Sequence, residues 1–330
     1  MACLIGCAGE VPPEEAARAV SFRMATRAAE SAAAQSITDQ QLVRVYVAER
    51  KPENGQALYC DTYYDLEGES YHIENLPGVW HKFAFVCVPN VTQGMASGIF
   101  PTSETFQAHK DLYQFTVSYT PVLDYQSDLD AASQGDLAIY RKVIDRWIDA
   151  DMPTGEDVVM GRITGELLLD MGKPADQFDT ATKGAVTSIA VRLKTSESCY
   201  IRDEACDSVI VKDRSTAARS FVWRVSEDGQ LQAQRLPIAL LPGTLEDAVV
   251  TISFESGDPE EYALRGRTDK NVPMDAIAIK KNTRTIVRFN GTDKEMFEVR
   301  YAGFADGDDA AVDVEDDAWN GIGNEKGGII

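Results

Sequence analysis

The sequence predicts a mainly β protein: two antiparallel β-sandwich domains in tandem, with one surface helix. Three observations predict it. After residue 40, apolar and polar residues alternate in short runs, the period-2 pattern of half-buried strands. Asn54-Gly55, Asp228-Gly229 and Asn290-Gly291 sit between such runs, and these dipeptides tolerate the positive φ that tight hairpins need. Helical crossovers between the strands are missing, which disfavours a parallel βαβ arrangement. The 330 residues suit two domains of ordinary size, and an apolar content of 44% is enough to fill their cores.

The N-terminus is read as an address followed by a tether. Leu4-Ile5-Gly6-Cys7 is similar to a bacterial lipobox, in which a peptidase cuts before a cysteine that then carries lipid. Six residues precede Cys7, fewer than the charged start and apolar run of a signal peptide occupy. The alternative is a buried or free thiol. Residues 8–37 hold Pro12-Pro13-Glu14-Glu15 and an Ala-rich run from Ala16 to Gln35, with arginines at 18, 23 and 27. Alanine favours helix but offers little area to bury, so a loose helix or solvated linker is expected, or else a helix packed on the first domain. Residues 1–37 are therefore lipobox and tether, 38–170 an N-terminal sandwich and 171–330 a C-terminal one. Met152-Pro153-Thr154-Gly155 and Met171-Gly172-Lys173-Pro174 punctuate the join.

The strands follow in order. Leu42–Val47 pairs through Asn54-Gly55 with the run opening at Ala57–Cys60, and Leu76-Pro77-Gly78 leads into Phe83–Val88. Phe115–Tyr119 alternates again. Over 136–149, Leu137, Tyr140, Ile144 and Trp147 recur at three- and four-residue steps with most charges off that stripe, which predicts the surface helix. Strands resume at Ala185–Leu193, Val209–Val211, Phe221–Val225, Val249–Phe254, Thr285–Phe289 and Phe297–Tyr301. Asp228-Gly229 joins Phe221–Val225 to Leu231–Leu236, and Asn290-Gly291 joins the last two strands. From Ala305 to Asp317 seven acidic residues precede a closing strand that buries Trp319; their spacing does not fit an EF-hand loop, so no metal is expected.

Charge and cysteines bound the function. With 32 basic against 53 acidic residues the net charge is −21, which opposes binding to nucleic acid or an anionic bilayer. No run approaches the roughly 20 apolar residues of a membrane-spanning helix. The six cysteines, at 3, 7, 60, 87, 199 and 206, form no Cys-x-x-Cys, and the histidines at 72, 81 and 109 stand at no zinc spacing. In an exported protein Cys199 and Cys206 could close a loop and Cys60 and Cys87 could bridge neighbouring strands; in a cytosolic one all four are core residues.

Signatures of catalysis are missing. There is no Gly-x-Ser-x-Gly elbow, since Gly94-Met95-Ala96-Ser97-Gly98 places its serine one position late, and no zincin, P-loop or dinucleotide motif. Paired carboxylates of a glycosidase need only converge in space, and among 53 acids the sequence singles out none. Tyr59, Tyr63, Tyr64, Tyr71 and Trp80 are either a sugar-binding face or sheet-forming aromatics, and the second reading is preferred. No catalytic residue and no cofactor is assigned, and an enzyme is the weaker class.

From about residue 36 to 325 the layout resembles the fimbrillin-type proteins of Bacteroidales type V pili, in particular their anchor and minor-subunit lipoproteins. The features are the lipobox at Cys7 with its tether; Leu42–Val47, then Leu76-Pro77-Gly78-Val79-Trp80 ahead of Phe83–Val88; Ala150–Gly155 ahead of Ala185–Leu193; and Ile279–Thr283 opening the hairpin of 285–301 before a strand near Trp319. The resemblance implies two transthyretin-like sandwiches, lipid on Cys7 in the outer membrane, and other fimbrial subunits as partners. It also implies donor-strand exchange, in which an extended segment of one subunit fills a strand-sized groove in another. Shaft subunits of the family lose an N-terminal piece to an Arg-specific protease, whereas anchors keep their lipid and accept a partner without cutting. Arg18, Arg23, Arg27 and Arg44 are the possible cut sites, of which only Arg44 falls in a predicted strand. An anchor or minor subunit is the expected role. The alternatives are a surface glycan- or host-binding sandwich, using Trp80 or Tyr63, and a hydrolase.

Overall fold

The computed structural model describes residues 18–27, 33–39, 41–49, 58–66, 68, 70–77, 79–89, 96–100, 106, 108, 110–121, 124–125, 138–148, 156–171, 178–201, 211–214, 218–224, 235–268, 272–289 and 297–303. The strands of the first half open with β1 (Arg18–Arg27), β2 (Gln35–Ser36), β3 (Gln41–Glu49), β4 (Tyr59–Leu66), β5 (Ser70–Leu76) and β6 (Trp80–Pro89). They continue with β7 (Ala96–Ile99), β8 (Lys110–Asp111), β9 (Thr116–Pro121), β10 (Asp124–Tyr125), β11 (Tyr140–Trp147) and β12 (Glu156–Arg162). Next come β13 (Gly165–Asp170), β14 (Val186–Lys194), β15 (Ser196–Tyr200), β16 (Val211–Arg214), β17 (Arg219–Arg224) and β18 (Arg235–Leu240). The last described strands are β19 (Gly243–Thr244), β20 (Glu246–Phe254), β21 (Glu260–Ala263), β22 (Gly266–Arg267), β23 (Ala278–Ile279), β24 (Thr283–Arg288) and β25 (Phe297–Gly303).

The mainly β, mostly antiparallel architecture expected from the alternation is present. A large sheet runs β2-β1-β12-β11-β6-β3-β4-β8, with β5 also paired to β1. Its strands β11 and β12 meet through Tyr140↔Arg162 and Arg141↔Gly161 alone, and there the sheet folds over. β1 and β6 lie three strand spacings apart along the sheet, about 14 Å, yet the Phe22 ring stands 5.1 Å from Phe83 and 4.9 Å from Phe85. β1, β12 and β5 thus form one layer over β3, β6 and β11, with Val20, Phe22, Met24, Val45, Phe85 and Met160 between them.

The opposite face of β3 and β6 is covered by the sheet β16-β15-β9-β7, where Phe115 packs on Tyr46. In the second half β10-β17-β14-β20-β21 faces β18-β13-β24-β25-β22. One continuous core runs from Tyr46 and Val86 through Phe115 and Tyr119 to Leu167, Ile238 and Val287. The chain crosses from the large sheet to β13 through Ile163 and Thr164 alone. A buried carboxylate holds this crossing: the buried Arg162 lies 3.6 Å from Glu166, and Nε of the part-buried Arg284 donates to the same carboxylate at 2.7 Å. Gly165 leaves no room for a side chain, since a Cβ there would stand 2.3 Å from the Lys280 carbonyl oxygen.

Several expectations need correction. The helix predicted over 136–149 is strand β11, paired with β6 along its whole length from Tyr140↔Cys87 to Trp147↔Trp80. The stripe misled because Tyr140 and Trp147, which share a helix face, fall on opposite faces of a strand. Residues 18–27, expected as helix or tether, are strand β1, with Val20, Phe22, Met24 and Thr26 buried at alternate positions. Of the predicted hairpin partner Leu231–Leu236 only Arg235 and Leu236 are described; they open β18, which joins β13 in another sheet, whereas β17 joins β14. Four pairs are parallel, β1–β12, β10–β17, β13–β24 and β22–β25. Cys7, Cys206, His109, the turn dipeptides, the acidic run and Trp319 lie outside the described residues.

Candidate functional site

Strand β1 is the most distinctive element of the first half, because it is the first of the described strands yet sits inside a sheet. Along one edge it runs parallel to β12, from Phe22↔Glu156 to Arg27↔Gly161. Along the other it pairs antiparallel with β5 over Arg18–Arg23 and with β2 at Ala25 and Thr26. It therefore fills a seat between two backbone ladders. Its inner side chains lodge in the first core, and Phe22 makes edge contacts with Phe83 and Phe85.

The outer face fastens the strand to its neighbours. Arg23 forms a two-pronged bond to Asp157, Nε to Oδ1 and Nη2 to Oδ2, both at 2.8 Å. The hydrogen bond from Arg23 holds the Asp157 carboxyl below its usual range. Ser21 Oγ and His72 Nδ1 share a hydrogen bond of 2.7 Å, and His72 Nε2 lies 3.7 Å from Glu74 Oε1. Serine, imidazole and carboxylate follow one another here as in a hydrolase relay, but the last step is too long for a hydrogen bond. Ser21 also sits mid-strand against β5, without the sharp turn that presents a nucleophile. The trio fastens β1 to β5.

The structure places Arg18, Arg23 and Arg27 all on β1, with Arg27 as its last residue. Arg44 is different. It lies in β3, hydrogen-bonded to β4 on one side and β6 on the other, and its side chain is buried. Its guanidinium pairs with Asp65 at 2.5 and 2.8 Å and stacks 3.8 Å over the Tyr63 ring. Burial works to lower the Arg44 pKa, and the bond to Asp65 with the field of Tyr46 outweighs it, so the group stays charged. Loss of Leu42–Val47 would strip both cores of their central strand rather than leave a groove.

Cys60 and Cys87 are not on adjacent strands, since β3 separates them. Cys60 stands opposite Ala48 and Cys87 opposite Val43, and they face different cores. Both are buried thiols outside any disulfide, as is Cys199. Burial pushes the Cys60 and Cys199 thiols up to about 12, which makes them unreactive packing groups. Among the described residues no cluster of His, Cys, Asp and Glu could hold a metal ion.

The aromatic cluster divides in two. Tyr63 packs against Arg44 and Phe106, and Tyr64 against Tyr71. Trp80 instead pairs across strands with Trp147 at 6.1 Å, and both indoles are nearly half exposed, 46% and 45%. His81, the next residue, is buried with Nε2 2.9 Å from the Pro77 carbonyl, and desolvation lowers its pKa.

What the sequence reading missed is β1 itself. Val20, Phe22 and Met24 alternate with Ser21, Arg23 and Ala25, a period-2 signal submerged in alanine.

No family model matches the chain, and no curated protein matches it in sequence. Solved structures similar to it include a fimbrial assembly protein from Parabacteroides distasonis, 10% identical with a TM-score of 0.44, the match covering 87% of this chain and 96% of that one. A candidate cell adhesion protein from Bacteroides eggerthii is 13% identical with a TM-score of 0.46, over 87% and 95%. A candidate polysaccharide-binding protein from Bacteroides thetaiotaomicron is 13% identical with a TM-score of 0.40, over 73% and 78%. At these scores none of the three fixes a role for this chain.

Proposed function

We propose that this chain is a cell-surface fimbrial protein, either an anchor that keeps its lipid and β1 or a minor structural subunit that joins others through the seat β1 leaves when it is cut away. The observation that carries this reading is the seat of β1. A strand held by two ladders and by alternate apolar side chains is a segment that another strand of like pattern can replace. Left empty, the seat would expose two sheet edges and an apolar trough, a hazard that a protein keeps covered until assembly.

The order of residues ties anchoring to exchange. Cys7 precedes β1 and Arg27 ends it, so a single cut after Arg27 separates both the lipid and β1 from the rest of the chain and makes β1 displaceable. A cut after Arg23 would leave Met24–Arg27 behind. A chain that keeps its lipid on Cys7 keeps β1 seated, as befits an anchor in the outer membrane. The cut chain accepts a neighbour's strand. No catalytic role is proposed.

The test is to treat the purified chain with an Arg-specific protease and follow its size. The reading expects cutting at Arg27 to be followed by association with a partner subunit, while the uncut chain stays apart. A cut chain that unfolds outright, or never associates, would count against it. A second reading, a surface that binds glycans or a host protein, draws on the exposed Trp80–Trp147 pair; it expects replacement of both tryptophans to abolish binding without loss of fold.

A further inference from the structure

We propose that the strand entering the seat of β1 comes from a different protein and carries a fixed pattern: aliphatic, small polar, aromatic, basic, large unbranched apolar. The positions are those of Val20, Ser21, Phe22, Arg23 and Met24, and the inference rests on the reading of β1 as exchangeable. Each position follows from what lines the seat. The middle inward site is bounded by the Phe83 and Phe85 rings at 5.1 and 4.9 Å from Phe22, both edge-on. An aliphatic side chain would leave part of that space empty and lose both ring contacts. The sites of Val20 and Met24 open on the same apolar core.

The outward sites select by charge. Asp157 stands directly beside position 23 in the parallel register, and Arg23 takes both of its carboxylate oxygens. With β1 gone, that carboxylate faces the seat on a chain of net charge −21, so an incoming basic residue is drawn in and an acidic one repelled. Position 21 meets the His72 imidazole at hydrogen-bond distance, which favours a hydroxyl.

The acidic stretch of a second copy fits poorly. Once cut, that copy no longer has β1 joined to its chain. Its acidic stretch alternates as Val312-Asp313-Val314-Glu315; with both valines inward, it offers no aromatic and sets carboxylates beside Asp157. Homopolymer growth through that stretch is thereby opposed, and the geometry points to a partner subunit with a basic, aromatic-centred strand.

The experiment uses the full chain cut after Arg27 and four labelled peptides, followed by fluorescence anisotropy. They are residues 18–27, the same peptide with Phe22→Ala, the same with Arg23→Glu, and residues 308–319. The 18–27 peptide is expected to bind, and Phe22→Ala to weaken binding by about a hundredfold or more. Arg23→Glu is expected to weaken it too, with recovery on a chain carrying Asp157→Lys, which a merely structural role for Asp157 would not produce. Residues 308–319 are expected not to compete. Equal binding by the Ala and Glu peptides, or by 308–319, overturns the pattern while leaving strand exchange standing. If no peptide binds, the 18–27 sequence included, strand exchange itself falls.

Discussion

Replacing Phe22 by alanine should loosen β1 without unfolding the rest of the protein. Phe22 is 1% exposed and touches two rings, so the change removes a large buried side chain and leaves a cavity, a loss of about 3–5 kcal/mol. If β1 opens locally and recloses faster than a protease cuts, cleavage tracks the population of the open form. At about 1.4 kcal/mol per tenfold, cutting after Arg27 should then rise by roughly two to three and a half powers of ten. The assay is the initial rate of cleavage by an Arg-specific protease, with the site of each cut read by mass spectrometry. Val47→Ala is the control. Val47 is buried in β3 against the same core but is no part of β1, so it should lower global stability and leave the rate at Arg27 nearly unchanged. If both variants speed the cut equally, β1 leaves only when the whole protein unfolds, and the reasoning fails.

Other substitutions probe the frame around the seat. Burial lowers the pKa of His81 from 6.5, so the unfolded chain takes up a proton first. Its contribution is complete above about 6.5 and is lost as pH falls through that value towards the folded one, so urea midpoints should drop between pH 7.5 and 5 and His81→Gln should flatten the dependence. Glu166→Ala should cost about 3–5 kcal/mol in chemical denaturation, because it leaves Arg162 and Arg284 without their shared carboxylate in the interior. Gly165→Ala should cost about 1–3 kcal/mol by the same measurement, since the new methyl collides with the Lys280 carbonyl at the start of the β13–β24 pairing.

Much of the fold was legible where both sides of a strand have the same environment along its length. β3, β6, β14 and β20 alternate or run apolar as buried strands do, and the β24–β25 pair follows from its two runs. β11 was not legible, because its surroundings change along it. Tyr140 is buried in the core it shares with β1 and β12 whereas Trp147 is nearly half exposed, so the period was broken and a helical spacing emerged by accident. Pairing with β6 over all eight residues overrides that local pattern. β1 was hidden by composition, since alanine at 16, 17, 19 and 25 weakens the contrast that Val20, Phe22 and Met24 provide. The seat could not be read at all, because Phe22 meets Phe83 and Asp157 meets Arg23 across 61 and 134 residues of sequence. Arg44 shows the converse: a basic residue in a predicted strand is a cut site only if that strand is dispensable, and β3 is the centre of the sheet.

The most direct test of the account is hydrogen exchange on the chain cut after Arg27 and washed free of residues 1–27. An exchangeable strand predicts that amides of β5 and β12 lose protection while those of β3, β6, β14 and β20 keep theirs. Adding the 18–27 peptide should then restore β5 and β12. Loss of protection throughout the molecule, or full protection of β5 and β12 with the seat empty, would contradict the claim that β1 occupies a replaceable place in the sheet.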